Sequence, residues 1–175
     1  MPDWCSDYIS ISGPKEKIEQ VWNTAHDCEG LLEAMVPLGE WDYQDAVTNW
    51  GTKWDINPID SGLNYEEQGN GVAVIEGHCE SAWSPPVKAL ETFLDKNPEC
   101  EANLLYYEPS MDFCGNLDHH IQISTQHKDF WSTTDIGEEL EEVFGISEML
   151  EEFEEEEQEI ALATPPDVIE EKDIL

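Results

Sequence analysis

The chain has 175 residues and a formal net charge of −34, with 41 acidic residues against 7 basic ones. All seven basic residues are lysines; there is no arginine. Such a balance excludes direct binding to nucleic acid or to an anionic membrane surface, because neutralising phosphate takes Lys and Arg, and it favours encounter with basic partners.

The length suits one domain with an appendage. The five cysteines, Cys5, Cys28, Cys79, Cys100 and Cys114, are odd in number and form no CxxC pair. Reduced, mostly buried thiols in a cytoplasmic protein are expected. The opening Met1-Pro2-Asp3-Trp4-Cys5 lacks the features of a signal peptide, and no apolar run approaches the ~18 residues of a membrane span.

Trp4 to Ser12 alternates Ile9, Ser10, Ile11, Ser12 and predicts a strand, with Ser12-Gly13-Pro14 turning out of it. A helix follows from about Pro14 to His26, with Ile18, Val21, Trp22 and Ala25 on one face. Gly30 to Glu40 reads equally as a short helix or an apolar loop. Asp42 to Thr48 suits one or two helical turns. The alternation of Trp50, Thr52 and Trp54 predicts a strand from Gly51 to Ile56, with the two tryptophans in the core and Lys53 as a local counter-charge. Asn57 to Gly71 reads as a polar turn region, and Gly71 to Trp83 as the next strand. The two strands would then pair across a connection that is long for a hairpin.

Ser84-Pro85-Pro86 opens a helix whose apolar face is Val87, Leu90, Phe93 and Leu94. Lys96-Asn97-Pro98 ends it, and Glu101 to Glu108 makes the fourth strand. The order strand, helix, strand, strand, helix, strand is that of an α+β, ferredoxin-like split βαβ sandwich (βαββαβ) spanning 1–134. Met111 to Ser124 contains Phe113, Cys114 and Gly115 and then His120-Ile121-Gln122-Ile123-Ser124, which offers an extra strand, and Asp129-Phe130-Trp131 is a short aromatic link.

From Asp135 the character changes. Asp135-Ile136-Gly137-Glu138 has capping-box form, and Leu140, Val143 and Phe144 keep helical spacing. Gly145 stops that helix, and Ser147 caps a second carrying Leu150 and Phe153. Residues 135–163 are thus an acidic C-terminal helical extension, and 164–175 a mobile acidic tail.

The runs Asn49-Trp50-Gly51-Thr52-Lys53-Trp54-Asp55 and Ala82-Trp83-Ser84-Pro85-Pro86, with Tyr107-Glu108 and Phe113-Cys114-Gly115, resemble the YubB-like family of phage and plasmid proteins. The resemblance covers roughly residues 3 to 125. It implies a ferredoxin-like domain and a mobile-element origin, and it supplies no catalytic residue. Asn49, Trp50, Gly51, Trp54, Trp83 and Pro85 are its structural marks. The acidic end departs from the family pattern.

No residues announce catalysis, so no enzyme is expected. His119, His120 and His127 with Cys114 lack zinc spacing, since adjacent histidines on a strand face opposite ways. Asp55 to Gly62 has partial likeness to a calcium loop, but Pro58 interrupts it and the glycine is misplaced. Neither metal nor cofactor is expected.

The glutamates remain. Glu138, Glu139, Glu141, Glu142, Glu148, Glu151, Glu152, Glu154, Glu155, Glu156, Glu157 and Glu159 cover the polar faces of the two C-terminal helices. Glu138–Glu142 and Glu151–Glu155 are like charges at i,i+4, each costing a few tenths of a kcal/mol. At ~1.5 Å per residue and half the residues acidic, the helices carry a negative charge every ~3 Å, against one per ~1.7 Å along duplex DNA. These carboxylates are the expected contact surface of a DNA mimic acting on a basic, nucleic-acid-binding host protein of the restriction or CRISPR type. The alternative is an interaction module that binds its partner through the sheet, with the acidic end as solubilising decoration. A saline adaptation would also account for the charge. The helix pair could pack on its own domain or form a dimer.

Overall fold

A computed structural model describes residues 3–123 and 135–163 of the protein. It is a mixed α+β fold: one open, six-stranded antiparallel sheet and, among the described residues, six helices. The strands are β1 (Trp4–Pro14), β2 (Gly62–Gly69), β3 (Val72–Ala82), β4 (Glu101–Glu108), β5 (Phe113–Asn116) and β6 (His120–Gln122). The helices are α1 (Lys15–Cys28), α2 (Leu31–Met35), α3 (Tyr43–Asn49), α4 (Val87–Lys96), α5 (Asp135–Phe144) and α6 (Ile146–Ala163). The strand order is β2-β3-β1-β4-β5-β6.

β1 sets the two faces of this sheet. Its residues alternate strictly, so Cys5, Asp7, Ile9 and Ile11 point to one side and Ser6, Tyr8, Ser10 and Ser12 to the other. The first face is covered by α1 through Ile18, Val21 and Ala25, by α2 through Leu31, Leu32 and Met35, and by α4 through Ala89, Leu90 and Phe93. Fully buried side chains such as Leu90 and Ile18 each contribute roughly 1.5–3 kcal/mol by leaving water.

α5 covers part of the second face. Leu140 and Ile146 are fully buried there with Leu105, Tyr107, Cys114 and Ile123, and Tyr8, Ile121, Val143 and Phe144 pack around them. α5 and the first turn of α6 therefore pack on this domain. The half of the face carrying Asn64, Glu66, Glu101 and Asn103 stays exposed.

Two expectations change. Gly51 to Ile56 is not a strand: residues 51–54 form successive bends, and the second strand is Gly62–Gly69, inside the stretch expected to be a turn. β2 is polar because it is an edge strand, with Leu63 buried, Tyr65 packed against the core and the rest facing water. The link to β3 is therefore short: Gly69, Asn70 and Gly71 all take positive φ, and β3 begins at Val72. The region left undecided from Gly30 resolves into the one-turn helix α2 followed by loop.

Glycine placement explains one corner. α1 ends on Glu29 in the left-handed conformation (φ 56°), a position glycine would suit, while the neighbouring Gly30 is extended. Gly30 serves a close approach instead, since a Cβ there would lie 2.2 Å from Asp55 Oδ2.

In α5, Asp135 is the first helical residue rather than the cap. Gly145 (φ 61°) separates α5 from α6, and Ser147 is already within α6. The aromatic link at Asp129–Trp131, His127 and the tail from Thr164 lie outside the described residues.

Candidate functional site

The two tryptophan motifs form one structural unit. Thr52 is buried, and its hydroxyl donates to Ala82 O at 3.0 Å and accepts from Ala82 N–H at 3.1 Å. Ser84 Oγ donates to Gly51 O at 2.5 Å, and Ala89 N–H donates to Trp50 O at 3.2 Å. Gly51 takes φ 86°, and a Cβ there would press on Pro85 O at 3.3 Å. Trp50 is buried and its indole N–H donates to Val36 O at 2.9 Å. Asn49 closes α3 by donating Nδ2 to Asp45 O, and Pro85 is buried at the head of α4.

Trp54 does not belong to the core. It is 40% exposed and stacks on Trp41, ring centroids 4.8 Å apart and 20° from parallel. The expected alternation failed because the segment bends, so residues 50, 52 and 54 share no face. Lys53 is not an ionic counter-charge either. Its ammonium lies 4.8 Å from the centroid of Trp54 and 4.4 Å from that of Trp83, a double cation–π contact. Trp83 is exposed and sits at φ 70°. Tyr43 meets it edge-on at 6.2 Å. Sequence reasoning missed Trp41 and Tyr43; their only signal was an aromatic pair flanking Asp42, which caps α3 through Gln44 N–H and Asp45 N–H.

Asp55 is structural. Its carboxylate accepts from the N–H groups of Leu32, Glu33 and Ile56 at 2.7–2.9 Å, capping α2 from a distant segment. Burial raises its pKa, against the lowering effect of those three bonds. The carboxylate is thereby taken out of any calcium loop.

A cleft of about 630 Å³ lies beside this unit, between Trp83, Pro85 and Lys88 on one wall and Phe113, His119 and His120 on the other. His120 Nδ1 is 3.1 Å from Tyr106 Oη, and its ring stacks on Tyr106. Cys114 packs with Ile121 on the opposite face of the β5–β6 ladder. His119 and His120 are thus kept apart from Cys114, and no cluster of metal-ligating side chains occurs among the described residues.

Asp7 is the anomaly of the core. It is fully buried on the central strand, and neither carboxylate oxygen has a hydrogen-bond partner. Burial pushes its pKa up to about 7; neighbouring Ser81 and Cys5 favour the ionised form, and Glu80 disfavours it.

The acidic residues are divided by the helices. Glu138, Glu139 and Glu142 on α5, and Glu148, Glu151, Glu152, Glu155 and Glu159 on α6, are exposed. Glu141 is half-buried and used locally, accepting from Ser147 N–H and from Ser147 Oγ at 3.1 Å. Glu154, Glu156 and Glu157 lie in α6, with side chains outside the described residues. Among the described residues the one ion pair is Lys15–Glu67, on the far side of the sheet order at 2.8 Å. Among the described residues, no lysine pairs with the exposed glutamates of α5 and α6.

No family model, curated protein or solved structure matches this chain. No helix among the described residues is long and apolar enough to cross a membrane.

Proposed function

We propose that the protein is a DNA mimic, encoded by a phage or related mobile element, that occupies the nucleic-acid-binding surface of a basic host defence protein in the cytoplasm. One observation carries this reading: α5 is anchored to the sheet through Leu140, and it holds exposed glutamates that no cation offsets among the described residues. An anchored helix presents its charge at fixed spacing, which a loose acidic tail does not. Presenting ordered charge lowers the entropy lost on binding a rigid basic groove.

In the same reading, β1 to β4 with α1 and α4 form a ferredoxin-like unit, consistent with the order β2-β3-β1-β4. The motif resemblance to the YubB-like family supplies the mobile-element setting. The rival reading, a partner bound through the sheet, is left with the polar half of the second face, because α5 occupies the apolar half.

The test is capture from host lysate at low and high salt, with duplex DNA as competitor. A target that is itself nucleic-acid-binding, is released steeply by salt and is displaced by DNA supports mimicry. Capture indifferent to both salt and DNA overturns it.

A further inference from the structure

The aromatic cluster around Lys53 is not explained by the acidic helices. Trp41, Tyr43, Trp54 and Trp83 are 45%, 45%, 40% and 36% exposed. Single exposed aromatics are ordinary; four joined by ring contacts and one shared lysine make a patch. Tryptophan and tyrosine are also the residues that dominate interface hot spots. Moreover, Trp83 is held at φ 70°, a left-handed conformation that is sterically costly for a non-glycine residue. Thr52 and Ser84 grip the chain on either side of it, so the fold sustains that cost while the ring stays outside the core.

The cluster already demonstrates its chemistry. A cation fits between the Trp54 and Trp83 rings, because Lys53 is there. The nearby exposed Glu40, Asp42 and Asp45 add negative charge. A nucleic acid or a second copy of this −34 chain is repelled by the same field. A guanidinium is not: it is planar, stacks on indole faces and is more weakly hydrated than an ammonium, so it gains more from the slot than lysine does.

We infer that Trp54 and Trp83, backed by Trp41 and Tyr43, seat an arginine side chain of a basic protein partner, and that Lys53 fills this slot in the free protein. Binding then exchanges one cation for another and moves the Lys53 ammonium out toward solvent. The inference rests on the partner being basic, as in the proposed function, but not on mimicry of DNA.

The experiment uses the full chain, a capped hexa-arginine peptide and its hexa-citrulline counterpart, which keeps shape and loses charge. Indole N–H resonances are followed at about 0.5 M NaCl, where screening falls to roughly 4 Å and diffuse attraction to the acidic surface is suppressed. The arginine peptide is expected to shift Trp41, Trp54 and Trp83, and the citrulline peptide is not. Trp54→Ala should weaken binding about tenfold, and Lys53→Ala, which vacates the slot, should strengthen it about threefold. The buried Trp50 resonance reports that each variant is folded; if Trp54→Ala loses it, Trp41→Ala takes its place. Glu142→Lys on α5 should leave these shifts in place, which separates this site from the acidic helices. Equal shifts with citrulline, no shifts at this salt, shifts with protein concentration alone, or weaker binding in Lys53→Ala would each overturn the inference.

Discussion

Thr52 and Ala82 are joined by a side-chain hydroxyl that serves both the N–H and the C=O of the same residue, at 3.1 and 3.0 Å. The hydroxyl thus takes the place of a strand partner for Ala82 on the side away from β1, past the end of β2. Thr52→Val keeps the shape and removes both bonds in a fully buried setting. A loss of about 1–3 kcal/mol is expected, because buried backbone groups lose a partner without gaining water. Urea unfolding should show a lower midpoint with an unchanged slope, whereas an unchanged midpoint would mean the pair is replaced by other contacts.

Asp7 gives a pH dependence with a definite sign. Its folded pKa, about 7, lies above its ordinary value of 3.8. Between those values the folded state binds the proton and the unfolded state does not. Stability from this group is therefore full below pH ~4, falls as pH rises, and is lost above pH ~7. Asp7→Asn should be more stable than wild type at pH 8 by about 2–4 kcal/mol, with the difference shrinking toward pH 5. Comparing the two proteins at each pH cancels the general effect of the −34 charge. A gap that does not vary with pH would show that Asp7 is ionised throughout.

Glu138 and Glu142 are exposed and one turn apart on α5. Glu142→Lys replaces repulsion with an i,i+4 Glu–Lys pair in the favourable orientation. The expected gain is about 0.5–1 kcal/mol at low salt, fading as salt rises. The same variant should weaken capture of the basic target. A variant that is more stable and binds as well as wild type would take Glu142 out of the contact surface.

Leu140→Ala removes a fully buried side chain from between α5 and the sheet. A cost of about 2–4 kcal/mol is expected. Hydrogen exchange should accelerate first in α5 and β5, while β1, β3 and α1 keep their protection. Uniform loss across the chain would mean that both sheet faces unfold as one unit.

Much of the fold was legible where residues face two different environments. β1 alternates Ile with Ser, and α4 places Leu90 and Phe93 on one face, so periodicity was enough. β2 was not legible, because an edge strand needs little apolar surface: Leu63 and Tyr65 are its whole contribution to the core. The tryptophan alternation at 50, 52 and 54 imitated a strand although its members are held by unrelated partners, namely Val36, Ala82 and Trp41. The apolar stripe of α5 was readable from Leu140, Val143 and Phe144, but its target was not. Tyr107 and Cys114 come from two separate strands, and only their pairing creates the surface that receives it. The exposed aromatic patch was hidden for the same reason: Trp41 and Trp83 are distant in sequence and meet through Lys53 and Trp54.

The docking of α5 also bears on how such a chain can be altered. Leu105, Tyr107, Cys114 and Ile121 would be left bare if the acidic helices were cut away. A truncated chain would then carry an oily face, and its behaviour would report stickiness rather than the missing glutamates. Charge and cover are the same piece of polypeptide. The protein therefore cannot shed α5 and the first turn of α6 and keep a well-behaved remainder.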